Sequence, residues 1–364
     1  MSARVLVAMS GGVDSSVAAA MLSEQGYDVV GVAMRLAPDA PMTSTKRRGT
    51  CCSHDDFEDA RRVAEVMGFP FYIVDLREDF NSRVIGNFVS EYLAGHTPNP
   101  CVMCNREIKF DRLWSRARAL DADFVATGHY ARISRDEMGR HHLMRAADSS
   151  KDQSYFLFTL GQAELSRTLF PLGDMTKTEV RARARKLGLA NADKPESQEI
   201  CFVPDGDYAR FVERLAPAGS IRSGHITDSE GHALADHAGI HHFTIGQRRG
   251  LGIAASEPLY VREIRPESGE VIAGSRAELN SRGLMARDVE LVDPATFGTG
   301  ESAIEVKIRY RHAAIAARLT MASPDTAEVR FLSGGPAVTP GQACVFYRGD
   351  EVIGGGFIER ALRS

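Results

Sequence analysis

The stretch that decides the fold lies near the start of the chain and reads Arg4-Val5-Leu6-Val7-Ala8-Met9-Ser10-Gly11-Gly12-Val13-Asp14-Ser15. Residues 4–9 are a short apolar run that predicts a β-strand, and residues 15–25 predict an apolar helix that Gly26 ends. The loop between them contains two glycines, which let the backbone turn so that successive amides point inward. Because a helix amino terminus also attracts negative charge, the sequence predicts an anion-binding loop here.

The same alternation of strands and helices continues through the first half of the chain. It predicts strands at residues 28–36, 71–76 and 123–127 and helices at 55–67, 108–120 and 176–187. The last of these helices begins with Thr176 and Glu179 at the spacing of a capping box. Repeated strand–helix units imply a doubly wound parallel sheet that binds its ligands beyond the carboxyl ends of the strands.

The second half of the chain has a different pattern. Gly-rich turns and short apolar runs follow residue 204, and strands dominate from Ala303 onward, which predicts a small antiparallel barrel or sandwich; the barrel is the one that enters the predicted fold class. The 364 residues also exceed one ordinary domain. The predicted fold class is therefore α/β with three domains: a doubly wound parallel-sheet domain at residues 1–203, a small middle domain at 204–279 and a C-terminal antiparallel β-barrel at 280–364.

Composition excludes a strongly basic nucleic-acid-binding protein, because 44 Lys and Arg against 48 Asp and Glu give a net charge of −4. Any nucleic acid must be bound by local basic patches, for which the candidates are residues 46–48, the helix at 181–186 and Arg248 with Arg249. No stretch approaches the roughly 18 apolar residues that cross a bilayer. We therefore expect a cytoplasmic protein that binds no membrane.

Cysteines are the candidate nucleophiles. Cys101 and Cys104 lie in a proline-bracketed loop before the predicted helix at 108–120, where the helix dipole favours a thiolate at Cys104. Cys201 lies in a second segment, residues 196–202. From the residues alone, two other interpretations stay open: Cys101 and Cys104 as half of a zinc site, and all three thiols as inert core side chains.

The glycine loop lacks the lysine of a Walker A motif and resembles the pyrophosphatase loop of the ATP pyrophosphatase superfamily. Nearly end to end, the chain resembles the tRNA-specific 2-thiouridylases, in the segments SGGVDSS, NPCVMCNREIKF, ATGHYAR, KDQSYFL, TKTEVRARARKLGL, ESQEICF, FTIGQRRGLGI and KIRYRH. This resemblance implies that the N-terminal domain is an adenylation domain. It also implies an ATP-dependent replacement of the C2 oxygen of the tRNA wobble uridine by sulfur.

The resemblance further implies a set of site residues. Those expected to bind ATP are Ala8, Met9, Ser10, Gly11, Gly12, Val13, Asp14, Ser15, Met34 and Gly128, with Asp14 helping to position Mg²⁺. Cys104 is implied as the nucleophile and Cys201 as the persulfide carrier, and the two end the reaction in a disulfide. The implied contacts to the target base are Asn99, Pro100 and Cys101, and those to the rest of the tRNA are Lys151, Asp152, Gln153, Arg309 and Tyr310.

The implied partners are the tRNAs for Lys, Glu and Gln and a sulfur donor, either a cysteine desulfurase or a sulfur-relay protein. Cys101 departs from the Asp that some family members have, and with Cys104 and Cys201 it could form a three-thiolate iron–sulfur site. Two other functions stay open at this point. One is a different adenylating enzyme, such as an amidating synthetase, and the other is a non-catalytic redox-sensing RNA-binding protein.

Overall fold

A computed structural model describes residues 2–36, 54–195, 200–203, 205–298 and 300–363 of the chain. The chain forms two compact units, each made of discontinuous segments. The first unit contains Met1–Val84, Cys101–Gly206 and Asp350–Val352, and the second contains Ile85–Pro100, Asp207–Gly349 and Ile353–Ser364. The three-domain division stays a prediction. In the parts of the chain that are described, no helix is long and apolar enough to cross a membrane.

The strands, in chain order, are β1 (Arg4–Ala8), β2 (Asp28–Arg35), β3 (Phe71–Asp75), β4 (Phe124–Ala126), β5 (Arg132–Arg135), β6 (His141–Met144), β7 (Thr168–Leu169), β8 (Gly224–Thr227), β9 (Ala233–His237), β10 (Tyr260–Arg265), β11 (Glu270–Gly274), β12 (Ser281–Leu291), β13 (Ser302–Lys307), β14 (Ile315–Ser323), β15 (Thr326–Gly335), β16 (Ala343–Arg348) and β17 (Glu351–Leu362).

The α-helices are α1 (Val13–Glu24), α2 (His54–Met67), α3 (Arg77–Phe80), α4 (Gly86–Leu93), α5 (Pro100–Met103), α6 (Asp111–Ala119), α7 (Gln162–Leu165), α8 (Lys177–Lys186) and α9 (Tyr208–Leu215). Two π-helical segments occur at Asn81–Ile85 and Cys104–Phe110. Short 3₁₀ turns occur at Ser154–Phe156, Ile240–His242, Ala277–Leu279 and Pro294–Thr296.

The first unit is built on a parallel five-stranded sheet with the strand order β3-β2-β1-β4-β7. The central strand β1 is apolar because both of its faces are covered, and Val5, Leu6 and Val7 have no exposed surface. The chain runs outward from β1 to β3 and then returns to the other side of β1 with β4. The carboxyl ends of β1 and β4 therefore flank the switch point at which open α/β sheets bind ligands. The predicted doubly wound sheet is confirmed.

The helix predicted at residues 108–120 is longer than expected. Helical structure begins at Pro100 with α5, continues through the π-helical turn Cys104–Phe110 and ends with α6 at Ala119. Proline suits the first turn of a helix because its missing N–H would have no partner there. The expectation of a loop before residue 108 is therefore wrong, and Cys104, expected close to a helix amino terminus, lies one full turn inside the helical stretch that begins at Pro100. The helix dipole therefore stabilises a Cys104 thiolate less than it would stabilise a thiolate in the first turn.

The second unit contains two sheets. The mixed sheet has the order β10-β11-β8-β9, and it packs a core that includes Ile226, Val261 and Val271. The other sheet runs β12-β15-β14-β13-β16-β17 and closes through pairing of β12 with β17. Alternate residues of these strands, such as Leu284 and Ala286, point into an apolar interior. The predicted C-terminal antiparallel barrel is confirmed.

Candidate active site

The glycine loop connects β1 to α1 at the switch point of the first unit. Gly12 is the residue before the helix, and among the described residues no side chain caps the first amides of α1. The loop is held closed by its own hydroxyls. The Ser15 Oγ accepts a hydrogen bond from the Ser10 N–H at 3.1 Å and donates one to the Gly12 carbonyl at 3.1 Å. Within the described residues these amides thus lack a side-chain partner, which fits the predicted anion-binding loop, and anion binding itself stays a prediction.

Two glycines of this site are required by close backbone approach. Gly11 has φ +73°, and a Cβ added there would lie 2.2 Å from the Asp56 carbonyl oxygen. Gly128 follows β4, and a Cβ there would lie 2.7 Å from the Ser15 nitrogen. Only glycine fits either position without moving a backbone. The loop is therefore seated tightly between the start of α2 and the end of β4, and Gly128 lies where the sequence predicts it, beside the loop.

Asp14, in the first turn of α1, is held by two side chains that sequence reasoning missed. The Lys177 ammonium donates to Oδ1 at 2.8 Å and to Oδ2 at 2.7 Å, and the Tyr130 hydroxyl donates to Oδ1 at 2.7 Å. Lys177 is the first residue of α8, where the helix dipole disfavours a cation. A lysine at this unfavourable position indicates that its charge serves another group. This signal was present in the sequence and could have identified Lys177 as a site residue.

A second clamp holds the other side of the loop. The buried Asn191 donates from Nδ2 to the Gly11 carbonyl at 3.0 Å and to the Ser16 Oγ at 2.9 Å. Lys194 contacts Asp56 at 2.7 Å and Asp59 at 2.6 Å, and it reaches the Gly11 carbonyl at 3.3 Å. Partial burial lowers the Lys194 pKa, but hydrogen bonds to the two carboxylates outweigh it and raise the pKa overall. The segment that leads towards Cys201 is thus attached to the loop.

The three candidate thiols belong to the first unit and differ in exposure. Cys104 is buried at the start of the π-helical turn, Cys101 is exposed in α5, and Cys201 is partly buried. Next to Cys201, Phe202 packs edge-on against Phe80 with 5.7 Å between ring centroids. Residues 196–199 of the segment that contains Cys201 lie outside the described residues. A π-helical turn is frequent at functional sites, and no pattern in the sequence predicts this one.

Asn105 and His129 support the turn that begins at Cys104. The Asn105 Nδ2 donates to the Phe156 carbonyl at 3.0 Å, while its buried Oδ1 meets no hydrogen-bond partner in the described part of the chain. His129 stacks on Phe110 with 6.3 Å between ring centroids, and its Nδ1 lies 2.7 Å from the Thr127 hydroxyl. Complete burial lowers the His129 pKa well below its ordinary value. This imidazole is therefore neutral at pH 7.

The zinc interpretation finds no support in the described ranges. There, no cysteine belongs to a group of three ligand side chains whose ligand atoms approach within 4.8 Å, which is the convergence that a single ion needs.

The predicted tRNA contacts of the first unit have internal roles in the structure. Asp152 is buried, and its Oδ1 accepts from the amides of Ala146 and Ser154, each at 3.1 Å. Gln153 accepts from the Tyr130 amide at 3.0 Å, so it fixes the residue that donates to Asp14. A contact of residues 151–153 with tRNA stays a prediction.

Met34, which is expected to bind ATP, is buried at the carboxyl end of β2.

The remaining predicted contacts are divided between the units. Asn99 and Pro100 belong to the second unit, as do Arg309 and Tyr310. The Arg309 guanidinium donates to the Thr339 hydroxyl at 2.9 Å. The ammonium of Lys307 lies 5.7 Å from the centre of the Tyr310 ring.

The basic face of α8 is engaged within the protein. Arg183 pairs with Glu24, Arg185 pairs with Asp193 at 2.6 Å, and Arg181 donates to backbone carbonyls. Residues 46–48 lie outside the described residues. Phosphate binding by α8 stays a prediction, and any RNA would have to compete with these exposed ion pairs, which are individually weak.

The fold and the loop define a doubly wound α/β protein whose candidate ligand is an anion at the sheet switch point. Family profiles match three consecutive parts of the chain: one described as a tRNA methyl transferase HUP domain at residues 3–205, one as a tRNA methyl transferase PRC-barrel domain at 210–275 and one as an aminomethyltransferase beta-barrel domain at 281–358.

Curated relatives match over nearly the whole chain. The tRNA-specific 2-thiouridylase MnmA of Geotalea uraniireducens is 53% identical over 99% of this chain and 96% of its own length. That of Geobacter metallireducens is 52% identical over 99% of this chain and 97% of its own length. A solved structure, described as a 4-thiouridine synthetase–RNA complex with bound ATP, is 18% identical over 59% of this chain and 50% of that chain, with a TM-score of 0.37. The chain belongs to the tRNA-specific 2-thiouridylase family.

Proposed function

We propose that this protein catalyses the ATP-dependent 2-thiolation of the wobble uridine of tRNA. The observation that carries the proposal is its 53% identity, over 99% of the chain, to a protein named for that activity. The chain also has what the chemistry requires: a loop that fits pyrophosphate and two cysteines, Cys104 and Cys201, in the same compact unit.

The loop fits the phosphates of ATP. The first amides of α1 are uncapped, and glycine at Gly11 and Gly128 keeps the surrounding backbone close. In this proposal the loop, with Met34 and Gly128, binds ATP and receives the departing pyrophosphate. Asp14 would hold Mg²⁺, which would neutralise phosphate charge. Because Lys177 occupies both carboxylate oxygens, it would have to give up at least one of them to the ion.

The reaction has two parts. The uridine C2 oxygen attacks the α-phosphate of ATP, pyrophosphate leaves, and C2 becomes bonded to an oxygen that can depart with AMP. The terminal sulfur of a Cys201 persulfide then adds to C2, and AMP departs with the former uridine oxygen. In one order of events, the Cys104 thiolate attacks the Cys201 sulfur after this addition and releases the sulfur that is bonded to C2. In the other order, Cys104 attacks the persulfide first and releases hydrosulfide, which then adds to C2. The resulting disulfide between Cys104 and Cys201 must be reduced before the next turnover by two external thiol groups, which together supply two electrons and are oxidised to a disulfide.

The other components of the proposal come from the resemblance. The tRNAs for Lys, Glu and Gln are the proposed acceptors, and a cysteine desulfurase or a sulfur-relay protein is the proposed donor. Asn99, Pro100 and Cys101 would contact the base, and Lys151, Asp152, Gln153, Arg309 and Tyr310 would contact the remainder of the RNA. Since phosphate contacts are salt-sensitive, tRNA affinity should fall steeply with ionic strength.

An iron–sulfur cluster is the second candidate for the cysteines. The donor set of three thiols in one unit, Cys101, Cys104 and Cys201, is of the kind that binds such a cluster with one open iron. Anaerobically purified protein would then absorb visible light, and Cys101→Asp would remove both the absorbance and the activity. In the persulfide reaction Cys101→Asp keeps activity, because some family members carry Asp at this position.

The proposed function is tested with unmodified tRNA, ATP and a persulfide-generating cysteine desulfurase. We expect 2-thiouridine and pyrophosphate from the wild type, persulfide but no 2-thiouridine from Cys104→Ser, and neither persulfide nor 2-thiouridine from Cys201→Ser. Cys344→Ser is the matched control, because burial raises the pKa of this barrel thiol to about 12 and makes it inert. Full activity of Cys104→Ser would contradict the proposal.

Release of pyrophosphate also separates the alternatives. An amidating synthetase would release it with an ammonia source and no sulfur, and a redox-sensing RNA-binding protein would not release it at all. Methyl transfer, which two of the family profile descriptions name, would proceed without ATP cleavage.

A further inference from the structure

Three metal-ligating side chains converge in the second unit, and none of the three has a role in the proposed thiolation. Glu213 lies on α9, and His241 and His242 are consecutive residues of the 3₁₀ turn Ile240–His242. The Glu213 Oε1 lies 3.3 Å from the Nε2 of His241 and 3.1 Å from the Nε2 of His242. One ligand atom from each side chain can be chosen so that all three lie within 4.8 Å of one another.

The local fold holds these groups in place. The His241 side chain is only 1% exposed, and a Cβ added to Gly239 would lie 2.4 Å from its ring. The two imidazoles are 4.3 Å apart between ring centroids, and both turn their Nε2 atoms towards the carboxylate. His242 and Glu213 are 36% and 42% exposed, so an ion can reach the group from solvent.

The chemistry of this group suits one class of ion. Two imidazole nitrogens and a carboxylate oxygen match the ligands of zinc and similar first-row transition metals, whereas Mg²⁺ and Ca²⁺ prefer oxygen alone. Ligand bonds of about 2.0–2.2 Å at tetrahedral angles place neighbouring ligand atoms about 3.3–3.6 Å apart, so the observed separations of 3.1 and 3.3 Å need to widen by only a few tenths of an ångström.

We propose that Glu213, His241 and His242 bind one divalent transition-metal ion, with Zn²⁺ as the physiological type and a solvent molecule in the fourth position. The ion would join α9 to the turn at Ile240–His242, which the Glu213 carboxylate and a hydrogen bond from the Tyr208 hydroxyl to the His242 carbonyl already connect. Its role is to stabilise the second unit, independently of the thiolation reaction.

Co²⁺ is the probe, because its absorption distinguishes nitrogen and oxygen ligands from thiolates. The full-length protein is titrated with Co²⁺ and then with Zn²⁺ as the competitor. We expect one Co²⁺ to bind with weak visible bands and without the intense near-ultraviolet band of a cobalt–thiolate bond. Zn²⁺ should displace it and raise the melting temperature of the protein.

Three variants locate the ion. Glu213→Gln and His242→Gln should each weaken this binding step at least tenfold and abolish the Zn²⁺-dependent rise in melting temperature. His225→Gln is the matched control, because this exposed imidazole pairs with a single carboxylate, that of Asp236, at 2.6 Å in the same unit. It should bind as the wild type does. Circular dichroism without metal verifies that all three variants are folded. Binding that is unchanged in both Glu213→Gln and His242→Gln, or a spectrum that contains only thiolate-bound cobalt, would overturn the proposal.

Discussion

Lys177 offers the sharpest test of how the loop is organised. Its ammonium lies 2.7 and 2.8 Å from the two oxygens of Asp14, and the two side chains are 12% and 30% exposed. At an effective dielectric constant near 20, charges this close attract by about 6 kcal/mol, but desolvation offsets much of that. The pair is neither fully buried nor at the surface. We therefore expect Lys177→Met to lower the free energy of unfolding by about 1–3 kcal/mol.

The effect on catalysis should be larger than the effect on stability. A preorganised cation beside the loop stabilises the charge that develops on the leaving pyrophosphate, and loss of one such group typically costs about 10²–10³ in kcat. Lys177→Met should therefore reduce tRNA-dependent pyrophosphate release about 10²-fold while Cys201 still accepts a persulfide. Lys177→Arg should recover part of the activity, because it restores the charge with a different shape.

The control for Lys177 is on the same helix. Lys186→Met removes an identical charge from the exposed end of α8 without touching Asp14, so at saturating tRNA, where a loss of RNA affinity does not limit the rate, pyrophosphate release should stay within twofold of the wild type. Both variants are assayed at saturating ATP and tRNA, and unfolding is measured with urea. If Lys177→Met released pyrophosphate at the wild-type rate, Asp14 would act without its partner, and Lys177 would not be needed to organise the loop.

Three further predictions concern the same unit. Asp14→Ala should abolish pyrophosphate release but leave persulfide loading of Cys201 intact, and undiminished thiolation would exclude Asp14 from ATP binding. Gly11→Ala should cost more than 2 kcal/mol in urea unfolding, because the new Cβ meets a backbone carbonyl at φ +73°. Gly68→Ala, at φ +76° in open space, should cost only about 1 kcal/mol, and equal losses would contradict the steric argument. Burial depresses the pKa of His129, so stability should fall as pH drops below about 6.5, where the unfolded imidazole gains a proton and the folded one does not. His129→Asn should reduce the change in unfolding free energy by about 1.4 kcal/mol per pH unit. If the variant and the wild type lost stability equally between pH 6.5 and 5, His129 would not be held neutral.

The sequence predicted those features that depend on neighbouring residues. The β1–loop–α1 unit and the capping box of α8, in which Thr176 accepts from the Glu179 amide at 3.3 Å and Glu179 from the Thr176 amide at 2.7 Å, follow from short patterns. Asp14 and Lys177 are 163 residues apart, so no local pattern joins them. Their contact exists because α1 and α8 pack in one unit, and that packing is decided by the whole sheet.

The π-helical turn at Cys104 escaped prediction for a different reason. Residues 104–110 contain ordinary helix formers, and the wider turn has no composition of its own. The contact of Asn105 with the Phe156 carbonyl is long-range, and it is one of the interactions that hold the turn. Tertiary contacts, not propensity, thus determine the position of the candidate nucleophile.

In the proposed reaction the C2 oxygen of uridine, and not water, attacks the α-phosphate of ATP. The most direct test runs the complete reaction in water enriched in ¹⁸O, with unmodified tRNA, ATP and the persulfide donor, and measures both nucleosides and AMP by mass spectrometry. We predict equal amounts of 2-thiouridine and AMP, with no ¹⁸O in the AMP, because its new oxygen comes from C2 of the uridine. AMP that carries one solvent ¹⁸O for each 2-thiouridine formed would show that ATP is hydrolysed separately, and it would contradict the adenylation of tRNA by this protein.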